Sequence, residues 1–151
     1  MKVVVTSDAH GNVNVLKKIA ALNPDADFYL DAGDSERCEA DISPFKTVRG
    51  NWDYLVTNSF RVDTVGDVTI YTTHGGGFLF NLTHLKSLAD NFNANIAVFG
   101  HIHHPLVEKM GDLLVINPGS VSIPRKSKAS YAVITFSNHT DIKAEIKEID
   151  F

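Results

Sequence analysis

Short clusters of histidine, aspartate and asparagine, which are side chains that bind transition metals, recur along this 151-residue chain. Each cluster follows an apolar run, and the five are Asp8-Ala9-His10, Gly33-Asp34, Gly50-Asn51, His74-Gly75 and Gly100-His101-Ile102-His103. The ends of strands in α/β folds converge on one edge of a sheet, so these side chains can meet in one crevice. Carboxylate, imidazole and amide donors together suit two divalent transition metals that share a bridging ligand.

The clusters differ in what they indicate individually. Asp34 has two oxygens with separate lone pairs and could bridge two cations, whereas a turn cap is the alternative for it. His101 and His103 alternate along an extended segment, so both point to one side, towards adjacent metals. Glycines 75 to 77 follow His74 and permit the close approach of a phosphate. Four similar residues fall outside the pattern and are predicted to be structural or solvent-exposed: Asp31, His84, His104 and His139.

The elements that position these clusters form a β-α-β pattern in the first half. Residues 2–6 and 27–31 are predicted strands. Between them, helical spacing of apolar residues begins after the capping residue Asn12 and stops at Asn23-Pro24. The segment 35–44 predicts only a short helix.

The second half alternates between hairpins and one further helix. The predicted helix has an apolar stripe from Leu82 to Phe92 and is capped by Asn81 or Thr83. The predicted strands are 60–64, 67–73, 95–99, 106–109, 113–117, 131–136 and 142–149. Parallel units followed by hairpins indicate an α/β fold with two mixed β-sheets packed face to face and flanked by helices. We expect residues 1–151 to form a single domain.

The composition excludes several classes of function. A net charge of −4 gives no field that would hold nucleic acid non-specifically. Cys38 is the single cysteine, so no disulfide forms within the chain and a reducing cytoplasm is favoured. The sequence has neither a signal-peptide pattern nor about 18 consecutive apolar residues, which predicts a cytoplasmic protein that does not enter membranes.

The order of the clusters, D-x-H, G-D, G-N, H-G and G-H-x-H, resembles the calcineurin-like metallophosphoesterases between Val3 and Pro124. The run Ile116-Asn117-Pro118-Gly119-Ser120-Val121-Ser122 resembles the small YfcE-like phosphodiesterase branch of that superfamily. The resemblance implies a four-layer α/β/β/α sandwich, which agrees with the element pattern. It also implies that every metal-ligand position of the family is filled.

The resemblance assigns seven ligands to two divalent metals. One metal would be bound by Asp8, His10, Asp34 and His103, and the other by Asp34, Asn51, His74 and His101. Asp34 would therefore bridge the two ions, and the implied catalytic residues are Asp34, His10 and His101. We expect Mn²⁺, with Zn²⁺, Fe²⁺ or Ni²⁺ as alternatives.

One position departs from the family pattern. Many phosphomonoesterases of the superfamily have G-N-H-[DE], in which the histidine protonates the leaving oxygen, but here Trp52 follows Asn51. An indole cannot act as a general acid, so the sequence favours a phosphodiesterase. Trp52 could stack on an aromatic group of the substrate or pack on the pocket wall. Asn51, Trp52 and Arg125 are the expected substrate-binding residues.

The implied reaction is hydrolysis of a phosphate diester by a hydroxide that bridges the two metals. Two alternatives remain open: a phosphomonoesterase or nucleotide pyrophosphatase with the same site, and a non-catalytic scaffold such as the retromer subunit that resembles this branch. The expected partner is a small phosphate-ester substrate, without stable nucleic-acid binding. A homodimer or tetramer remains open.

Overall fold

The first half of the chain forms the expected β-α-β unit. The computed structural model describes residues 1–76 and 81–151. The elements are β1 (Lys2–Thr6), α1 (Val13–Leu22), β2 (Phe28–Asp31), a single 3₁₀ turn (Glu39–Ile42) and β3 (Lys46–Thr47). The Asn12 side chain accepts a hydrogen bond from the Val15 N–H at 3.2 Å, which confirms the predicted cap of α1.

The second half forms the remaining helix and seven strands of the described residues. They are β4 (Phe60–Val65), β5 (Val68–Thr73), α2 (Leu82–Asp90), β6 (Ile96–Val98), β7 (Pro105–Met110), β8 (Leu113–Pro118), β9 (Ser130–Phe136) and β10 (Ile142–Glu148). Asn81 caps α2 through a 3.0 Å hydrogen bond from the Thr83 N–H. Gly77 of the predicted glycine run lies outside the described residues.

Two five-stranded sheets contain these strands. The first has the order β10-β9-β1-β2-β3, and the second has the order β4-β5-β6-β8-β7. The strands β1, β2 and β3 are mutually parallel, as are β5, β6 and β8. The carboxyl ends of the three parallel strands in each sheet therefore lie at one edge, where the predicted clusters follow them.

Three apolar layers show how the helices and sheets stack. Val5 and Leu30 of the first sheet pack with Val98 and Ile116 of the second, so the sheets face each other. Leu16 of α1 packs on the outer face of the first sheet, which includes Val4. Leu85 of α2 packs on the outer face of the second, which includes Ala97 and Val115. The order α1, first sheet, second sheet, α2 confirms the four-layer α/β/β/α sandwich.

Within the residues that the structure describes, neither helix is long and apolar enough to cross a membrane.

Candidate metal centre

The predicted ligands all lie in loops that directly follow strands. The first sheet contributes Asp8 and His10 after β1, Asp34 after β2 and Asn51 after β3, and the second sheet contributes His74 after β5 and His101 and His103 after β6. Backbone hydrogen bonds hold the loops together, because the Asp8 N–H donates to Gly33 O at 2.9 Å and the His10 N–H donates to Asp34 O at 2.8 Å. The Gly100 N–H donates to His74 O at 3.1 Å in the same way. The loop geometry is thus fixed by the backbone as well as by the side chains.

Five of the predicted ligands have left-handed backbone conformations. Their φ angles are 54° for Asp8, 45° for His10, 59° for Asp34, 73° for His101 and 56° for His103. This region costs an L-residue about 1–2 kcal/mol. Such strain persists where the surrounding structure enforces it, and it is concentrated at functional sites.

Asp8 is the carboxylate at the middle of the site. Its Oδ2 accepts hydrogen bonds from the Ser7 hydroxyl at 2.6 Å and from the His101 N–H at 3.0 Å. Its Oδ1 faces imidazole nitrogens, with Nε2 of His103 at 3.1 Å and Nε2 of His10 at 3.8 Å. The same Oδ1 lies 3.8 Å from Nε2 of His74. One oxygen of Asp8 is therefore held by donors and the other is directed at three histidines.

The ligand atoms form two groups that share Asp8. Asp8, His10 and His103 offer atoms that lie within 4.8 Å of one another, and so do Asp8, Asp34 and His74. The second group contains the Asp34 Oδ2, which is 3.0 Å from His74 Nε2. Because a metal–ligand bond is about 2.0–2.2 Å long, two ligands of one ion are separated by at most about 4.4 Å. The three distances within the first group are 3.1, 3.3 and 3.8 Å, which are below this limit. In the second group His74 Nε2 lies 3.0 Å from Asp34 Oδ2 and 3.8 Å from Asp8 Oδ1, also below it.

In each of the three histidines of these groups, Nδ1 has a hydrogen-bond partner within the protein. Nδ1 lies 2.9 Å from Glu36 Oε2 in His10, 2.7 Å from Ala32 O in His74 and 2.7 Å from Ile123 O in His103. A partner on Nδ1 fixes the tautomer that leaves Nε2 available as a ligand. In all three residues Nε2 is the atom that faces the site.

Asp53 holds the loops after β2 and β3 together. Its buried carboxylate accepts backbone hydrogen bonds from Asp34 at 2.8 Å, Gly50 at 2.7 Å and Glu36 at 2.8 Å. The sequence analysis did not identify Glu36, whose N–H is one of these donors. The signal that could have identified Glu36 is a second carboxylate two residues after Asp34, in the turn that Gly33-Asp34 begins.

Two glycines are required by the close approach of these carboxylates. A Cβ atom on Gly50 would collide with Oδ1 of Asp34, and one on Gly100 would collide with the Ser7 hydroxyl. The loops after β3 and β6 can therefore contact the carboxylate loops only where a side chain is absent.

Two buried atoms at the centre test whether a cation fits. Asp8 Oδ1 and His74 Nε2 are both inaccessible to solvent, and among the described residues neither makes a well-aligned hydrogen bond, although His103 Nε2 and Asp34 Oδ2 lie 3.1 and 3.0 Å from them. Leaving buried polar atoms without aligned partners is costly. A divalent cation would satisfy both, so the donor set fits a metal.

The charges at the centre also favour a cation. Although burial opposes protonation of His74, the carboxylates of Asp34 and Asp8 raise its pKa to about 9. The carboxylate of Asp8 likewise raises the pKa of His103. Both shifts report a negative potential at the Nε2 atoms, where a metal would replace the protons.

The remaining predicted residues lie at the rim of the centre. The His101 ring is perpendicular to the ring of His74, with centroids 5.5 Å apart. Asn51 is exposed and lines a cavity of about 190 Å³ together with His74 and Arg49. Trp52 is 57% exposed, and its backbone N–H donates to Asp34 Oδ1 at 2.8 Å. The structure thus brings all seven predicted ligands to one edge, while Asn51 and His101 lie outside the two groups described above.

Arg125 lies in the segment that follows β8, beside the loop of His101 and His103. Its side chain lines a separate cavity of about 340 Å³ with His101. This placement next to the centre is compatible with the predicted role in substrate binding. Asp31 and His139 lie outside the two ligand groups, as predicted, because Asp31 binds threonine hydroxyls and His139 pairs with Asp67.

Comparisons with known proteins agree with this architecture. Residues 1–139 match the family model of the calcineurin-like phosphoesterase superfamily domain. The probable metallophosphoesterase YsnB of Bacillus subtilis is 34% identical over 148 residues, which cover 91% of this chain and 86% of YsnB. The phosphodiesterase YfcE of Escherichia coli is 27% identical over 165 aligned positions, covering 89% of this chain and 87% of YfcE.

A solved structure shows the same fold along almost the whole chain. The crystal structure of a predicted phosphoesterase from Streptococcus pneumoniae superposes with a TM-score of 0.82 and 27% sequence identity. The superposition covers 97% of each of the two chains.

Proposed function

Because this chain belongs to the calcineurin-like phosphoesterase superfamily, we propose that it is a phosphodiesterase that uses two divalent metals. The observation that carries the proposal is the pair of ligand groups around Asp8, in which two buried ligand atoms make no well-aligned hydrogen bond among the described residues. The similarity to YfcE supports the choice of a diester as substrate.

The ligand assignment follows the loops. Asp8, His10 and His103 would hold one metal and Asp34 and His74 the other, with Asn51 and His101 completing the second from the rim. We expected Asp34 to be the bridge between the ions. In the structure the residue common to both groups is Asp8, whose Oδ1 lies 3.1–3.8 Å from the Nε2 atoms of all three histidines, so we propose that Asp8 also contributes to both sites.

Bound metals would supply Lewis-acid polarisation of the phosphate and an activated water. The protein contributes the orientation of the ligands, since Glu36, Ala32 and Ile123 hold the three Nδ1 atoms. His10 and His101 would lie beside the bound phosphoryl group. We propose Mn²⁺ as the metal because imidazole and carboxylate ligands occur together in the set.

The preference for a diester is argued from Trp52. Its indole N–H does not ionise in the physiological pH range, so it cannot protonate a leaving oxygen. The enzyme would therefore depend on leaving groups that depart without a general acid. The two cavities beside the centre, one with Arg49 and the other with Arg125, share no lining residue and could each receive one arm of a diester.

A comparison of two chromogenic substrates tests the proposal. The protein is loaded with Mn²⁺ and assayed with bis-p-nitrophenyl phosphate and with p-nitrophenyl phosphate. We expect the diester to have the higher kcat/KM. A preference for the monoester would support the phosphomonoesterase alternative, and no turnover of either by the metal-bound protein would support the scaffold alternative.

Asp34→Asn serves as the matched variant in this assay. A neutral amide binds cations more weakly than a carboxylate does, so we expect loss of turnover and weaker metal loading. Full activity of Asp34→Asn would contradict the two-metal assignment. Metal content, measured on protein purified without chelators, separates a loading defect from a catalytic one.

We also propose a small phosphate ester as the substrate and the cytoplasm as the location. Both remain proposals that rest on the charge of −4 and the single cysteine.

A further inference from the structure

We propose that the cavity beside His101 is a second anion site, which binds another phosphate of the same substrate. The cavity has a volume of about 340 Å³ and is lined by His101, Ile102, His104, Arg125 and Lys126. It shares His101 with the metal centre, so its occupant would lie next to the phosphate under attack. This inference rests on the proposed function and specifies its substrate class.

The backbone fixes the basic segment against the metal loop. The Arg125 N–H donates to His103 O at 2.8 Å, and His103 Nδ1 lies 2.7 Å from Ile123 O. Lys126 has a φ of 56°, a left-handed conformation that turns the chain sharply at this point. Arg125 and Lys126 therefore lie in a loop that hydrogen bonds fix against the loop of His103.

The charges of this segment are not neutralised within the part of the chain that the structure describes. Arg125 and Lys126 are exposed and form no ion pair with its carboxylates, whereas Arg61 binds Asp63 with Nε 2.7 Å from Oδ2. Arg125 is close enough to the centre to oppose the rise in the pKa of His103 that Asp8 causes. Two cations thus lie beside the metal centre of a protein whose net charge is −4.

The chemistry of the two side chains identifies the ligand class. An arginine presents paired N–H donors that match two phosphate oxygens, and a lysine adds a point charge. Small-molecule sites have volumes of about 300–1,000 Å³, so this cavity has room for one phosphorylated arm of a substrate. The substrate class that fits both sites is a phosphodiester, or a phosphoanhydride, that has a further phosphate on one arm.

A matched pair of substrates tests the site in the metal-loaded protein. Thymidine 5′-(p-nitrophenyl phosphate) and its 3′-phosphorylated form differ by one phosphate group. We expect the 3′-phosphorylated form to have at least a tenfold higher kcat/KM in the wild type. The double variant Arg125→Gln/Lys126→Gln should lose this preference, so that the kcat/KM values of the two forms in that variant differ by no more than about twofold.

The control variant also removes two positive charges, but at positions far from the cavity beside His101. Lys109→Gln/Lys143→Gln acts at exposed positions on β7 and β10, which pair with Leu114 and Thr135 away from the metal edge. We expect this variant to retain the full preference. An equal loss in both double variants, or no preference in the wild type, would overturn the inference.

Binding of inorganic phosphate provides a readout that is independent of turnover. In a titration of chelator-treated protein followed by amide NMR, we expect saturable shifts in residues 101–104 and in Ile123, Arg125 and Lys126. The shifts should require at least tenfold more phosphate in Arg125→Gln/Lys126→Gln. Unchanged shifts in that variant would contradict the second anion site, even if no ester were hydrolysed. Absence of turnover with an intact phosphate response would instead count against the proposed function alone.

Discussion

Glu36 is a charged group that contacts the outer nitrogen of a predicted histidine ligand, His10. Its Oε2 lies 2.9 Å from Nδ1 of His10, whereas His74 and His103 use backbone carbonyls for the same purpose. The Glu36 backbone has a φ of 60°, and its N–H is held by Asp53. We therefore regard Glu36 as a positioning residue for His10.

Removal of the Glu36 carboxylate should weaken metal binding. We expect Glu36→Ala to lower the Mn²⁺ affinity by about 10–100-fold, which is the usual effect of losing a partner of a metal-ligating histidine. Glu36→Gln keeps an acceptor for the Nδ1–H but loses the charge, so its affinity should lie between those of Glu36→Ala and the wild type. Calorimetric titration with Mn²⁺ measures this order. Glu108→Ala, at an exposed position on β7, is the control and should bind as the wild type does.

Trp52 offers a gain-of-function prediction. Its backbone is fixed by Asp34 Oδ1 and its ring is 57% exposed, so a histidine fits the same position. We expect Trp52→His to accelerate hydrolysis of phenyl phosphate, a monoester with a poor leaving group, by about 10²-fold, the lower end of general-acid contributions. Trp52→Phe has no proton to donate and should show no gain. Equal rates for the two variants would mean that the missing acid does not determine the preference.

The sequence predicted the side chains that lie together at the strand ends, because their types and order are visible without a structure. It could not identify the atoms that orient them. The partners of His74 and His103 are backbone carbonyls of Ala32 and Ile123, and a carbonyl has no signature in the sequence. The position of Asp8 at the junction of both groups likewise depends on loop geometry.

At the scale of elements, Asp31 joins the three parallel strands of the first sheet. Its carboxylate accepts hydrogen bonds from the hydroxyl of Thr6 on β1 at 2.9 Å and of Thr47 on β3 at 2.8 Å. The same carboxylate accepts the Gly33 N–H at 3.1 Å. The metal loops begin just beyond these contacts, so Asp31 fixes the relative positions of the strand ends.

The stability of the protein should therefore depend on the protonation of Asp31. Burial raises the pKa of Asp31 from 3.8 to about 7, despite its hydrogen bonds. Between these values the folded state holds a proton that the unfolded state has released, so the free energy of unfolding should fall as the pH rises from about 4 to 7. Asp31→Asn should show a smaller fall. Urea denaturation at pH 5 and pH 8 measures the change in the free energy of unfolding for each protein. Asp112→Asn, at an exposed position, is the control and should behave as the wild type does. An identical pH dependence in Asp31→Asn and the wild type would contradict this role of Asp31.

Local patterns were sufficient to place most elements but not their neighbours. The periodicity and caps predicted α1 and α2, and alternating or apolar runs predicted the longer strands. The two-residue strand β3 is too short for any periodicity, and only its pairing with β2 defines it. Local patterns also could not predict that β9 lies beside β1, because the paired residues Val4 and Val133 are far apart in the sequence.

At the scale of the whole molecule, polar side chains from the loops of both sheets meet at the candidate metal centre. Asp8, His10 and Asp34 extend from the first sheet, and His74 and His103 extend from the second. A cation bound by both sets would connect loops that unfolding separates. Metal binding should therefore stabilise the entire fold and not only the loops.

The stabilisation by metal can be measured as the rise in Tm on thermal unfolding with Mn²⁺. At a metal concentration about 100 times the Kd, binding to the folded state adds about 2.7 kcal/mol, which for a domain of this size raises Tm by about 5–10 °C. Asp8→Asn removes the negative charge of the one residue that both ligand groups share. The Tm of this variant should therefore rise little between its chelated form and its Mn²⁺-loaded form. His139→Ala, at a histidine outside the site, should keep the full increase, and an equal increase in Asp8→Asn would place the metal elsewhere.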